Sequence, residues 1–326
     1  MSGGSRPRAG PAAKPEPDSG DFAVSIIADA RADNWVDRHA PAALKPYLKL
    51  ARFDRPVGTW LLLWPCWWSI ILARPVLDLE TLRLYVLFGV GALVMRGAGC
   101  TVNDIADRNF DGRVERTRLR PIPSGQVSVK QALAWTAFLS LIGLAILVQL
   151  GPTAIWLGVF SLALVVIYPF TKRITWWPQA WLGLTFNWGA LMGYAAASGT
   201  VGWPAVWLYV GGLFWTLGYD TIYAHQDKED DALIGVKSAA RALGDRTKPA
   251  LWVFYALTLV LWGLAARQAG FSHWFLPGFA FVAVHFVWQI RHVDLDNSPN
   301  CLKVFKSNIG MGFIMLAALL TGGLAM

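Results

Sequence analysis

The chain has 326 residues, 55% hydrophobic and only 15% charged, where an ordinary soluble domain carries about 25% charge; this argues against a water-soluble globular fold. Its 29 Lys and Arg exceed 21 Asp and Glu, giving a formal net charge of +8, but the basic residues sit beside apolar runs. They therefore report membrane topology rather than a nucleic-acid partner, and the widely separated Cys66, Cys100 and Cys301 offer neither a disulfide framework nor a zinc spacing.

Residues 1–20, rich in Pro, Gly and Ser, cannot bury enough apolar surface to order themselves and are expected to form a disordered tail. They have neither the apolar core of a signal peptide nor the character of an amphipathic organellar presequence, so the sequence points to a bacterial inner membrane with a cytoplasmic N-terminus, with a mitochondrial inner membrane as the alternative. Residues 21–51 mix apolar and polar side chains, as in AALKPYLKLARFDRP, and suit an amphipathic segment lying along the headgroups. Residues 52–326 then read as one all-α polytopic membrane bundle of nine transmembrane helices. Its apolar segments fall near 56–73, 82–103, 131–150, 153–170, 178–199, 203–222, 249–268, 272–290 and 307–325, each close to the length that spans a hydrocarbon core about 30 Å thick.

Nine spans place the termini on opposite sides. With the N-terminus cytoplasmic, 25 of the 29 basic residues fall on that side, while only Arg74, Arg83 and Arg267 fall on the other and Arg96 lies inside the second span. That bias fixes the orientation. The two acidic connections, 103–118 and 219–231, both lie on the basic face after even-numbered spans, a placement that hints at duplication of a four-helix unit.

In the first acidic connection Asn103, Asp107 and Asp111 recur every four residues and so share one helical face. In the second, Tyr223, Asp227 and Asp231 form a similar stripe. Carboxylates this dense repel one another unless cations lie among them, and hard oxygen donors select Mg²⁺, an ion usually shared with substrate phosphates. Basic residues are interleaved: Arg108, Arg113, Arg116, Arg118 and Arg120 follow the first stripe, and Lys228 and Lys237 accompany the second. Acid, base and metal together describe a diphosphate site. Arg96, seven residues before Asn103, lies on nearly the same face, and Tyr168 and Lys172 stand four apart at the basic end of the fourth span, with Arg173 alongside. Arg52, Asp54 and Arg55 open the first span as an interfacial charge group. Most of the 18 tryptophans are expected to anchor the headgroup region, with some left to line an apolar site.

The patterns NDxxDxxxD at Asn103 to Asp111, DxxxD at Asp227 to Asp231 and YxxxK at Tyr168 to Lys172 resemble the signature of the UbiA superfamily of intramembrane prenyltransferases. DRPVGTWLLLWP, MRGAGCTVNDIADRNFD, RTRLRPIPSG, YPFTKR followed by PQ, and YDTIYAHQDKEDD followed by GVKSAA are similar to its 4-hydroxybenzoate polyprenyltransferase branch, which serves ubiquinone synthesis. The resemblance implies helices around a central cavity, with both aspartate-rich motifs at its cytoplasmic mouth and a lipid-exposed opening for the prenyl chain. It implies that Asn103, Asp107, Asp111, Asp227 and Asp231 hold two Mg²⁺ ions on a polyprenyl diphosphate, that Arg96, Lys172 and Lys228 contact the diphosphate, and that Arg173 meets the carboxylate of 4-hydroxybenzoate.

On this reading Asp107, Asp111, Asp227, Asp231 and Tyr168 are the catalytic residues. The metal and the basic groups stabilise the departing diphosphate, the aromatic faces of Tyr168, Tyr223 or some tryptophans stabilise the allylic cation, and the phenol ring attacks it ortho to its hydroxyl. An aspartate of the second motif or the diphosphate takes the proton. The alternatives are prenyl transfer to haem or homogentisate, or a divalent-cation transporter, which would need acidic residues deep within the spans. Prenyl chain length and oligomeric state stay open.

Overall fold

The computed structural model describes residues 34–111, 117–233 and 235–325, apart from the side chains of Phe110, Asp111 and Asp230. The tail expected over 1–20 and the start of the 21–51 segment lie outside the described residues. Two short helices come first, α1 (Trp35–His39) and α2 (Lys45–Leu50). Asn34 caps α1, its side-chain oxygen accepting from the amides of Val36 and Asp37 at 3.0 and 3.1 Å, two of the donors that a helix start leaves unpaired.

The bundle is built from α3 (Val57–Ala73), α4 (Leu79–Asp111), α5 (Val129–Leu147), α6 (Pro152–Ile174), α7 (Pro178–Phe186), α8 (Gly189–Ser198) and α9 (Trp203–Ala224). A 3₁₀ turn (His225–Asp227), α10 (Lys228–Leu233) and α11 (Ala239–Leu243) lead to α12 (Thr247–Gln268), α13 (Phe275–His292) and α14 (Ser298–Leu324). No strand occurs among the described residues, as expected of an all-α membrane protein. Each expected apolar segment coincides with helix, although among the described residues helix length and composition by themselves establish five helices able to cross a membrane.

The fifth segment is two helices rather than one. Asn187, fully buried at the break, donates from Nδ2 to the Gly183 carbonyl at 2.9 Å and to Thr216 Oγ1 at 2.8 Å, a local side-chain bond that competes with helix continuation. After the break, Gly189 and Gly193 face α3 so closely that a Cβ at either would run into Cys66 or Ser69. Small residues four apart let two membrane helices meet backbone to backbone, which draws α8 onto α3.

The core overturns the expectation of interfacial anchoring for four tryptophans. Trp64, Trp68, Trp215 and Trp262 are fully buried, and the ring centroids of Trp68, Trp215 and Trp262 lie 5.0–5.6 Å apart. Three of the indole N–H groups find acceptors, at Gly312 O (3.2 Å), Asn308 Oδ1 (2.8 Å) and Leu208 O (3.2 Å), and it is this partnering that makes the burial tolerable. Asn308 also accepts from Gln289 Nε2 at 3.0 Å, and Gln289 Oε1 accepts from Tyr255 at 2.7 Å, tying α9, α12, α13 and α14 into one polar network. Trp262→Ala removes the ring at this junction and is expected to cost about 3–5 kcal/mol, read as a lowered thermal midpoint of the detergent-solubilised protein. A midpoint within error of wild type would mean that the junction carries no stability.

Helix length places the functional motifs. With 33 residues, α4 is about 50 Å long at 1.5 Å per residue, well beyond a 30 Å hydrocarbon core. Its last turns, carrying Asn103 to Asp111, therefore project past the apolar layer. On the same basic face α9 stops at Ala224 and breaks into the turn that carries Asp227.

Candidate active site

A cavity of about 790 Å³ runs between α3, α4, α5, α6, α8 and α9, within the range of ligand-sized pockets. One end is polar, bounded by Arg55, Arg96, Asn103, Asp220, Tyr223 and Lys306. The other is apolar, with Leu62, Phe88, Leu147, Leu150, Val159 and Met192 among its walls. Tyr168 lies on the wall as well.

Arg96 does not snorkel to the interface. Its Nη1 donates to Cys100 Sγ at 2.6 Å, its guanidinium lies 5.4 Å from the Phe186 ring centroid, and its Nε is buried without an acceptor among the described residues. A Cβ on Gly58 would collide with that guanidinium, so the glycine of the DRPVG motif makes room for it. Asp220, across the cavity, is near enough to act on Arg96 electrostatically. A half-buried guanidinium on a cavity wall with an unused donor is a binding group for an anion.

One turn beyond Asn103, Asp107 is almost fully buried. Lys172 Nζ donates to its Oδ2 at 2.5 Å, and Arg173 Nη2 stands 3.6 Å from Oδ1, an atom with no hydrogen-bond donor among the described residues. The YxxxK lysine and the first aspartate motif are thus one cluster. Arg173 is not among the residues that line the cavity, and its guanidinium lies 5.7 Å from the Phe170 ring centroid. The segment that follows the second motif is tied to the end of α6: the Lys237 amide donates to the Lys172 carbonyl at 3.0 Å, and Lys237 Nζ to the Ile174 carbonyl at 3.1 Å.

The PQ and GVKSAA motifs have a structural account of the same kind. Gln179 Oε1 accepts from the Ala239 amide at 2.9 Å, while Ser238 Oγ caps α11 by accepting from the Arg241 amide at 3.4 Å, so both hold the loop after Asp231 in place. Asp227, Lys228 and Asp231 are partly buried on the turn and α10, following Tyr223 of the cavity wall. Within that turn His225 is buried with Nε2 3.0 Å from Thr247 Oγ1. Burial, reinforced by the nearby Lys228 charge, pushes its pKa down to about 4, so the imidazole is neutral at physiological pH and adds no further cation.

Asn103, Asp107, Asp227 and Asp231 carry side-chain oxygens, the donors a hard divalent ion takes, and Asp107 Oδ1 is buried with no hydrogen-bond donor among the described residues. Among the described residues no three His, Cys, Asp or Glu side chains come together as a ready-made metal site, and the Asp111 side chain lies outside the described residues. The residues fit an ion whose remaining ligands come from a bound phosphate group.

Sequence reasoning passed over Asp104, Asp220 and Lys306, and read Arg52 as part of an interfacial charge group. Asp54 does pair with Arg55, Nε to Oδ1 at 3.3 Å, its carboxyl pushed up by burial and held back by that arginine. Arg52 instead reaches Asp104 at 2.7 Å, a contact across 52 positions that no local spacing reveals.

Residues 62–317 match the UbiA prenyltransferase family. The chain belongs to that family. Among similar proteins, the mitochondrial 4-hydroxybenzoate polyprenyltransferase of Caenorhabditis elegans is 48% identical over 87% of this chain and 80% of its own length. That of Arabidopsis thaliana is 43% identical over 95% and 76%, and a 4-hydroxybenzoate geranyltransferase of Lithospermum erythrorhizon is 45% identical over 89% and 94%. A UbiA homologue from Aeropyrum pernix shares the fold with a TM-score of 0.69 and 26% identity, covering 80% of this chain and 96% of that one. The UbiA homologue from Archaeoglobus fulgidus solved with GPP and Mg²⁺ is alike in fold at a TM-score of 0.62 and 19% identity, covering 86% and 98%.

These UbiA relatives correct one expectation. Several are named mitochondrial, which overturns a bacterial inner membrane and points to a mitochondrial one, and with it goes the label cytoplasmic for the basic face. The bacterial reading rested on the composition of residues 1–20. The bundle itself is no guide, since either membrane asks for the same apolar thickness within a few ångströms.

Proposed function

We propose that this chain transfers a polyprenyl group from a polyprenyl diphosphate to the ring carbon ortho to the hydroxyl of 4-hydroxybenzoate, releasing diphosphate, as the ring-prenylation step of ubiquinone biosynthesis. The observation that carries this reading is a cavity with unlike ends, a long apolar arm leading to a mouth that bears Arg52, Arg55, Arg96, Arg120 and Lys306 beside Asp104 and Asp220. A prenyl chain fits the first and a diphosphate the second. The family supports the reaction class, and relatives named for 4-hydroxybenzoate support the acceptor.

In this reading Asn103, Asp107, Asp111, Asp227 and Asp231 hold Mg²⁺, which when bound offsets the charge growing on the leaving diphosphate. Arg96 sits in the cavity wall to bind diphosphate oxygens, and Lys172, now on Asp107, and Lys228 add charge beside them. The allylic C–O bond breaks with its electron pair going to the diphosphate. The rings of Tyr168 and Tyr223 on the wall face the carbocation left behind, while the apolar arm keeps water from it. The phenol ring forms the new C–C bond and loses a proton to a carboxylate of the second motif or to diphosphate, restoring aromaticity. Arg173, 3.6 Å from Asp107 Oδ1, is the group for the acceptor carboxylate. The short helices α1 and α2 lie along the headgroups, and the bundle crosses the bilayer nine times.

The test is product formation by purified protein in lipid with 4-hydroxybenzoate and a polyprenyl diphosphate, with and without Mg²⁺. Ring-prenylated acid that appears only with the ion is the expected result. Folded protein that makes none across several donor lengths, yet prenylates another aromatic acceptor, would replace 4-hydroxybenzoate.

A further inference from the structure

The end of the bundle remote from the cavity mouth, where α3 and α12 stop and α4 begins, holds three arginines and two acidic side chains, Asp78 and Glu80. Both acids are taken: Arg74 pairs with Asp78, and Arg83 Nη1 with Glu80 Oε1 at 2.8 Å. The third arginine, Arg267 in the last turn of α12, makes neither an ion pair nor a side-chain hydrogen bond among the described residues. It lines a surface pocket of about 360 Å³ with Trp207, Leu264 and Gln268. Thr258 donates to the Gly211 carbonyl and Trp262 Nε1 to the Leu208 carbonyl, each at 3.2 Å, so α12 and α9 run antiparallel and the pocket opens beside the first turns of α9. Trp207 is sixteen positions from Tyr223 of the cavity wall, about 24 Å along the helix. Trp207 Nε1 donates to Gln268 Oε1 at 2.7 Å. An indole N–H can only donate, so the amide oxygen must face it, and Gln268 Nε2 keeps its hydrogens for another partner. Guanidinium and amide thus offer N–H groups at one pocket walled by Leu264 and by Trp207, whose ring stacks on the exposed Trp203 with centroids 5.9 Å apart.

We propose that this pocket binds the phosphate of an anionic phospholipid, with Arg267 and Gln268 on its oxygens and Trp203, Trp207 and Leu264 against the glycerol and the first carbons of an acyl chain. The counter-charge for Arg267 has to come from outside the chain, because this end has no acidic side chain left to supply it. The pocket lies at the ends of two bundle helices, the level at which phosphates of the headgroup layer stand and at which tryptophan is favoured. An apolar wall beside two donors suits an amphiphile, whereas a free phosphate ion would leave the indole faces and Leu264 unused. A zwitterionic headgroup brings an ammonium of its own towards the guanidinium and loses the attraction that an anionic one keeps. The site is independent of prenyl transfer, and the bound lipid anchors the ends of α9 and α12 in the headgroup layer.

The experiment uses full-length protein in phosphatidylcholine bilayers containing a little phosphatidylglycerol that carries a photoreactive diazirine beside its phosphate, with the labelled peptides mapped by mass spectrometry. Expected is labelling within 203–207 and 264–268 that unlabelled phosphatidylglycerol competes away and that neither phosphatidylcholine nor inorganic phosphate does. Arg267→Gln and Gln268→Glu should each lower it about 5-fold or more, the worth of one basic residue beside an anionic headgroup, while labelling elsewhere on the protein stays as the internal reference. Gln268→Glu keeps an acceptor for Trp207 but sets an anion against the phosphate. Arg83→Gln, at an arginine already paired, should leave the pocket labelled as in wild type. Both pocket positions are exposed, so the variants should fold, and gel filtration checks this; should Gln268→Glu fail it, Arg267→Gln decides alone. Competition by inorganic phosphate assigns the pocket to a free anion and overturns the lipid site. Equal labelling by a phosphatidylcholine probe, no labelling of these segments in wild type, or labelling unchanged in Arg267→Gln overturns it as well.

Discussion

Asp107→Ala is expected to lower prenyl transfer by at least about 10³-fold, and Asp227→Ala to do the same, each with a folded protein. Asp107 stands where two cations, Lys172 and Arg173, already converge at 2.5 and 3.6 Å, so the position attracts positive charge strongly enough to hold a divalent ion once phosphate oxygens join it. Alanine there leaves the two basic side chains without their shared carboxylate and, on the proposed reading, removes a ligand from the metal as well. Because Lys172 and Arg173 are about a third exposed, water takes over much of the lost pairing, and stability should suffer far less than rate. The loss of one well-placed charge-stabilising group is worth about 10²–10³ in rate, and a lost metal more. The measurement is turnover against Mg²⁺ concentration. Near-wild-type activity at saturating Mg²⁺ in either variant would remove that aspartate from the site.

The two aspartates differ in how far the sequence alone exposed their surroundings. Asn103, Asp107 and the neighbouring Lys172 were legible because helical periodicity puts every fourth residue on one face and because charge at a membrane boundary is costly without a purpose. The apolar blocks marked every long helix for a similar reason, since the thickness of a bilayer dictates their length. Contacts between distant segments were not legible. Asp104 is one residue off the Asn103 stripe, and only the folded chain shows that Arg52 and Arg120 meet on it. Asp220 begins the second acidic run but points into the cavity, whereas the stripe chosen by spacing starts at Tyr223. The buried tryptophans misled for a physical reason: indole is equally at home at an interface and in a core that offers its N–H an acceptor, and Asn308, which supplies one, lies 93 positions from Trp215. The break between α7 and α8 was hidden too, because Asn187 needs Thr216 of α9 to settle into its role.

Gly91→Phe is expected to separate long donors from short ones. Gly91 lines the apolar arm on α4, twelve residues before Asn103 and hence about 18 Å along the helix axis from the polar mouth. A Cβ there meets only Ile146 Cγ2 at 3.7 Å, an ordinary contact, so a larger side chain extends into the open arm instead of forcing neighbouring helices apart. The helix itself gains, because glycine is the poorer helix former. A geranyl chain is too short to reach that depth, whereas a long polyprenyl chain must pass it. The variant should therefore lose about 10²-fold in kcat/KM for a long polyprenyl diphosphate while holding near-wild-type values for geranyl diphosphate, with the KM for 4-hydroxybenzoate unchanged. The contrast with Gly143 sharpens the test. A Cβ at Gly143 runs into Met95, so Gly143→Phe disturbs α4 against α5 and should depress both donors alike. Parallel losses for both donors in Gly91→Phe would show that the chain does not run along this arm, and the apolar walls of α5 and α6 would then have to be assigned to lipid.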